Sequence, residues 1–98
     1  MAATRHRDLT EAAAVYTGYL KEAYGFAEDE VAIPDAYRDR ELDWFGDLNE
    51  TLTELEDYSP ARVRTILTER NPWTGGATLL EVLRRGDRRE VRRVLRRY

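Results

Sequence analysis

The stretch NPWTGGATLLEVLRRGDRREVRRVLRRY, residues 71 to 98, decides the fold: it reads as one tight turn followed by two short helices. Proline fixes φ and glycine tolerates positive φ, so Asn71, Pro72, Gly75 and Gly76 can reverse the chain around Trp73 within six residues. Thr78 with Glu81 forms a capping box, in which each side chain satisfies an amide that the first helical turn leaves unpaired. Leu79, Leu80, Val82 and Leu83 give that helix its apolar side, and Gly86 is placed to end it in the left-handed conformation. Asp87 and Glu90 repeat the capping pattern at once, so a second helix starts with almost no linker and is expected to run to Tyr98. Its faces separate. Val91, Val94, Leu95 and Tyr98 recur at helical spacing, while Arg88, Arg89, Arg92, Arg93, Arg96 and Arg97 occupy the other side.

Taken together, Asn71, Pro72, Gly75, Gly76, Thr78, Glu81, Leu83, Gly86, Asp87, Glu90, Val91 and Leu95 resemble the toxin-binding domain of the MbcA/ParS/Xre antitoxin family. The resemblance covers residues 48 to 98, with a faint Xre-like stretch before it. Ile66-Leu67 stands where the family usually has tryptophan and leucine, and Leu79 where it has proline; both changes keep apolar volume at core positions. The resemblance implies two parts. Residues 1–47 would be an N-terminal helical part with a degenerate helix-turn-helix and a dimerisation element, and residues 48–98 a toxin-binding helical domain. It also implies the partner, a RES-domain toxin that consumes NAD and whose active-site cleft the C-terminal domain covers. The partner-binding residues are then expected to be Trp73, Arg92, Arg93, Arg96, Arg97 and Tyr98. Val91, Val94 and Leu95 hold the inner face, so the arginines project outward, and Arg97 and Tyr98 would enter the cleft. Planar guanidinium forks suit that role because they pair bidentately with carboxylates.

Composition sets the limits of this reading. At 98 residues with 42% apolar content the chain makes one small all-α domain of five or six short helices, with a modest core that self-association would help. The absence of cysteine excludes disulfides and thiol catalysis. Residues 1 to 8 lack the apolar run of a signal peptide, and no stretch approaches membrane-spanning length, so a cytoplasmic location is expected. Charge is lopsided: residues 28 to 57 hold 12 acidic and 2 basic side chains, residues 84 to 98 hold 8 arginines and 2 acids. Like charges at four-residue spacing repel, so the terminal arginines call for an anionic counterpart.

Before residue 71 the signals are plainer. His6 stands alone as a solvated tail residue. Asp8 with Glu11 is a box-like start for a helix carrying Leu9, Ala12, Ala13, Tyr16, Tyr19, Leu20 and Ala23, which Gly25 ends. Its tyrosines read as core or interface rather than as a base-stacking surface. Asp35 to Phe45 occupies the place of a DNA recognition helix, but Asp35, Asp39, Glu41 and Asp43 outnumber Arg38 and Arg40, the opposite of what phosphate contact needs. DNA binding is therefore expected to be weak or absent, with a short helix packing Tyr37, Leu42, Trp44 and Phe45 inward instead. Asp39, Glu41 and Asp43 begin like a calcium loop, yet Trp44 takes the position where the sharp turn requires glycine, so no metal site is expected. Asp43, Asp47, Glu50, Glu54 and Asp57 form a stripe read as solvated, opposite Phe45, Leu48, Leu52, Leu55 and Tyr58. Gly46 leaves one bent helix or two equally open between 35 and 58. Ser59-Pro60 starts a helix that buries Val63, Ile66 and Leu67.

No phosphate loop with its lysine, no G-x-S-x-G and only one histidine are present, so neither enzymatic activity nor a cofactor is expected. Trp73 is open to two readings, a core plug or an interface anchor. The function expected is that of an antitoxin acting by protein–protein binding; the alternatives are a DNA-binding transcriptional regulator and an adaptor for another protein partner. A homodimer built from the apolar surplus of residues 9 to 58 is also expected.

Overall fold

Helices supply the regular structure of the computed structural model, which describes residues 2–98, with side chains from Glu11 onward. Six α-helices follow in order: α1 (Ala2–Tyr24), α2 (Glu28–Val31), α3 (Glu41–Glu54), α4 (Pro60–Thr68), α5 (Leu79–Arg84) and α6 (Arg88–Leu95). Short 3-10 turns occupy Asp35–Tyr37 and Pro72–Thr74, and the described residues hold no strand beyond one isolated bridge between Arg70 and Thr78. The all-α expectation is met. Among the described residues no helix is long and apolar enough to cross a membrane.

The chain divides into two compact units, the first ending at Ala32 and the second running from Ile33 to Tyr98. Residues 47 and 48, between which the sequence placed a boundary, both lie inside α3. In the first unit α1 is already helical at Ala2, upstream of the start expected at Asp8. The readings of His6, Asp8 and Leu9 as side chains fall outside the described ones. Gly25, at φ 74°, ends α1 and donates its amide to the Lys21 carbonyl at 3.0 Å. Leu20, Phe26 and Val31 are buried, whereas Val15 and Tyr19 are exposed. Tyr16, Tyr19, Tyr24 and Phe26 form a chain of ring contacts with centroids 5.7–6.2 Å apart.

The second unit is organised around α3 and α5. Trp44, Leu48, Leu52 and Leu55 meet Leu79, Leu80, Val82 and Leu83 in one core, with Val63, Ile66 and Leu67 from α4 and Val91 and Val94 from α6. Ser59 caps α4, its hydroxyl accepting from the Arg62 amide, with Pro60 at the first helical position as expected.

Three expectations for residues 35 to 58 need correction. Asp35 to Phe45 is not one helix: a 3-10 turn ends at Tyr37, Arg40 takes φ −148°, and α3 begins at Glu41. The reason is Tyr37, whose hydroxyl donates to Asp47 at 2.7 Å. Along a continuous helix those ten residues would separate the two by about 15 Å. Leu42, expected inside, is 62% exposed, because the break resets the helical phase so that Trp44 and Leu48 face inward. Asp47, assigned to the solvated stripe, is buried. Gly46 does not interrupt α3; it sits on the exposed side and the packed neighbours carry the helix through.

Candidate functional site

The acidic helix α3 and the arginine helix α6 lie side by side, and a polar network joins them. Tyr37 is fully buried, and a buried hydroxyl needs a partner, which Asp47 provides. The other Asp47 oxygen pairs with Arg88 Nε at 3.0 Å. Arg88 Nη2 reaches Glu50 at 3.2 Å, and Arg92 Nη2 reaches the second Glu50 oxygen at 3.0 Å. Burial, followed by the hydrogen bond to the Asp47 carboxylate, pushes the Tyr37 phenol well above its ordinary value, so it remains a donor. A groove of about 230 Å³ runs beside this network, with Glu50 and Glu54 on one wall, Arg92 and Arg96 on the other, and Leu83 and Val91 along its floor.

The NPWTGG turn is fixed from within. Asn71 is buried and its side-chain oxygen accepts from the Trp73 amide at 2.9 Å, while its own amide donates to Ala77 at 3.0 Å. Gly75 and Gly76 take φ 73° and 95°, the conformation the turn requires. Thr78 then caps α5 by accepting from the Glu81 amide at 3.0 Å. Gly86 ends α5 at φ 83°, and Asp87 caps α6 by accepting from the Glu90 amide at 3.2 Å. The reciprocal half of that second box is replaced: the Glu90 carboxylate pairs with Arg93, which holds it below its ordinary value, and the Asp87 amide turns to the Val82 carbonyl.

The residues expected to meet a partner do converge, but most of them also bind their own fold. Trp73 is 39% exposed, so it is not a core plug; its ring meets Tyr98 edge-on at 6.0 Å and carries the Arg97 guanidinium at 5.2 Å. Arg93 donates to the Trp73 carbonyl at 2.9 Å. Tyr98 does not project freely, because its carbonyl accepts from the Tyr58 hydroxyl at 3.0 Å and its own hydroxyl accepts a long 3.4 Å bond from Asn71. Helix α6 stops at Leu95, so Arg96, Arg97 and Tyr98 form a closing turn rather than a further helical turn. Of the expected arginines, Arg96 and Arg97 have no side-chain hydrogen bond or ion pair among the described residues, and of these two Arg97 lies over the Trp73 ring.

The residues that sequence reading missed are Tyr37, Asp47 and Glu50. Ten aromatic residues signalled a core, but nothing in the spacing tied a tyrosine at 37 to a carboxylate at 47. The described residues hold no cluster of three or more His, Cys, Asp or Glu side chains placed to bind a metal ion. Compared with known proteins, the chain matches no family model, no curated protein and no solved structure.

Proposed function

We propose that this chain is an antitoxin that neutralises a cognate toxin by protein–protein binding, without chemistry of its own. The observation that carries the reading is the surface around Trp73. A rigid turn presents a partly exposed tryptophan edge against Tyr98, beside a helix whose outer side is arginine. Tryptophan, tyrosine and arginine on a pre-organised surface are the residues that dominate binding energy in protein interfaces. The internal bonds from Asn71, Arg93 and Tyr58 support this reading, since side chains already ordered lose less freedom on association.

The resemblance of residues 48 to 98 to the MbcA/ParS/Xre toxin-binding domain supplies the partner in this proposal, a RES-type toxin that consumes NAD in the cytoplasm. Trp73, Arg96, Arg97 and Tyr98 would cover its active-site cleft, with Arg92 and Arg93 supporting the surface from behind. A sequence-specific DNA reader is the weaker alternative, because the segment in its place is split and mostly acidic. An adaptor would use the same surface for another protein.

The test is co-expression with the toxin encoded beside this chain, followed by growth and cellular NAD. The wild-type chain is expected to restore both, and the double substitution Trp73→Ala, Arg96→Glu to lose rescue while helicity stays unchanged. An adjacent reading frame that depletes no NAD, or full rescue by the double variant, would remove the antitoxin reading in this form.

A further inference from the structure

Helix α6 carries its arginines over half its circumference, and the structure divides them into two kinds. At about 100° per residue, Arg88 and Arg92 lie on one flank and Arg93 on the other; the αR backbone of Arg96 carries the spiral one residue past the helix end and puts it with Arg89 on the crest between them, and Arg97 follows in the closing turn on the Arg93 side. Three of the four flank arginines are paired with carboxylates, Arg88 and Arg92 with Asp47 and Glu50 and Arg93 with Glu90, while Arg97 keeps its charge and rests on the neutral Trp73 ring. On the crest, Arg89 and Arg96 have no side-chain hydrogen bond or ion pair among the described residues, although Glu54 lines the same groove as Arg96.

Arg88, Arg89, Arg92, Arg93 and Arg96 line a shallow concavity of about 410 Å³ on this outer side. Five guanidinium groups face three paired carboxylates, Asp47, Glu50 and Glu90, which leaves a local excess of two positive charges. Asp87 is not part of this lining; its carboxylate is engaged at the helix N-terminus, accepting from the Glu90 amide at 3.2 Å. We propose that this concavity is a binding site for a phosphate dianion, either free phosphate or the phosphate of a monoester.

The chemistry follows from charge and shape. A phosphate monoester brings close to two negative charges and three acceptor oxygens to a single point, matching the local excess, whereas a carboxylate or a phosphodiester brings one charge. Arg89 and Arg96 stand about 10.5 Å apart along the axis, and arginine side chains are long enough to converge on an anion between them. The flanking arginines are already oriented by their carboxylates and retain N–H groups for the ligand, since each guanidinium offers five donors. The inference does not depend on which protein, if any, the Trp73 surface binds.

The full-length chain, at low and at physiological salt, would be titrated with inorganic phosphate, phenyl phosphate, dimethyl phosphate and a short DNA duplex, with arginine side-chain NMR signals as the readout. Both dianions are expected to shift the Arg89 and Arg96 signals and to bind at least about tenfold more tightly than dimethyl phosphate. Tighter binding of phenyl phosphate than of phosphate would assign the site to monoesters, and the reverse order to the free ion; either supports the proposal. The variant Arg89→Ser, Arg96→Ser should lose tenfold or more in affinity with its far-UV spectrum unchanged, and Arg85→Ser, outside the concavity, should bind like wild type. Equal binding of the mono- and dianions, tighter binding of the duplex, or equal losses in the two variants would overturn it.

Discussion

Removing the Asp47 carboxylate asks whether a buried polar network, rather than apolar contact alone, holds α6 against α3. Asp47→Ala takes away the acceptor at 2.7 Å from the Tyr37 hydroxyl and the 3.0 Å partner of Arg88. Tyr37 has 0% exposure, so water cannot replace the lost partner without structural opening. An orphaned buried hydroxyl costs about 1–3 kcal/mol. The Arg88 pair adds at most ~1 kcal/mol, because 48% of the arginine side chain faces solvent. The total of about 1–4 kcal/mol is a large share of the stability of a domain this size and corresponds to a fall in Tm of roughly 4–30 °C. Tyr37→Phe keeps the ring, 5.4 Å from Trp44, and leaves Asp47 with Arg88, so its expected cost is smaller, about 1–2 kcal/mol. In the double variant no hydroxyl is orphaned, and the combined cost should fall short of the sum by about 1 kcal/mol or more. Urea unfolding followed by circular dichroism and tryptophan fluorescence gives all four corners of the cycle. Strict additivity, or an Asp47→Ala cost below about 0.5 kcal/mol, would refute the reasoning.

Gly86→Ala should cost more stability than Gly75→Ala. Both force alanine into positive φ, about 1–2 kcal/mol, but a Cβ at 86 also meets Arg40 Nη2 at 3.3 Å and Tyr37 Cε2 at 3.9 Å, whereas one at 75 meets nothing within 4 Å; equal losses in thermal melts would contradict the packing described at Gly86. Tyr16, Tyr24 and Tyr37 should deprotonate late in an ultraviolet titration, since burial raises all three above the ordinary value of 10, Tyr16 to about 12. Stability from keeping these phenols neutral is fully present below pH 10 and is lost as pH rises through the folded values, so alkaline unfolding should begin above pH 10; three ordinary titrations in the folded chain would count against it. Exposed Val15 and Tyr19 on α1 lead us to expect self-association, abolished by Val15→Asp with Tyr19→Asp; a monomer mass by light scattering at tens of micromolar for the wild-type chain would end that expectation.

The sequence by itself determined the elements whose causes are local. Ser59, Thr78 and Asp87 cap the helices that follow them, Asn71 closes its turn, and Gly25, Gly75, Gly76 and Gly86 take the positive φ expected of them. Each of these depends on a few consecutive residues meeting their own backbone, and such contacts survive in any tertiary setting. The candidate surface was partly legible for the same reason: Trp73 sits on that turn, and the arginine periodicity of α6 follows from its own sequence. What periodicity could not supply was the phase of one helix against another. Asp47 belongs to an acidic stripe by spacing, yet it is buried because Tyr37 folds in beside it and Arg88 arrives from 41 positions away in the chain. Leu42 is apolar yet exposed, since the break before Glu41 sets which side of α3 faces the core. The pairing of Arg88 and Arg92 was likewise decided only by tertiary structure, because Asp47 and Glu50 on α3 are brought within reach by packing of the core, whereas the Glu90 partner of Arg93 lies three residues away on α6 itself.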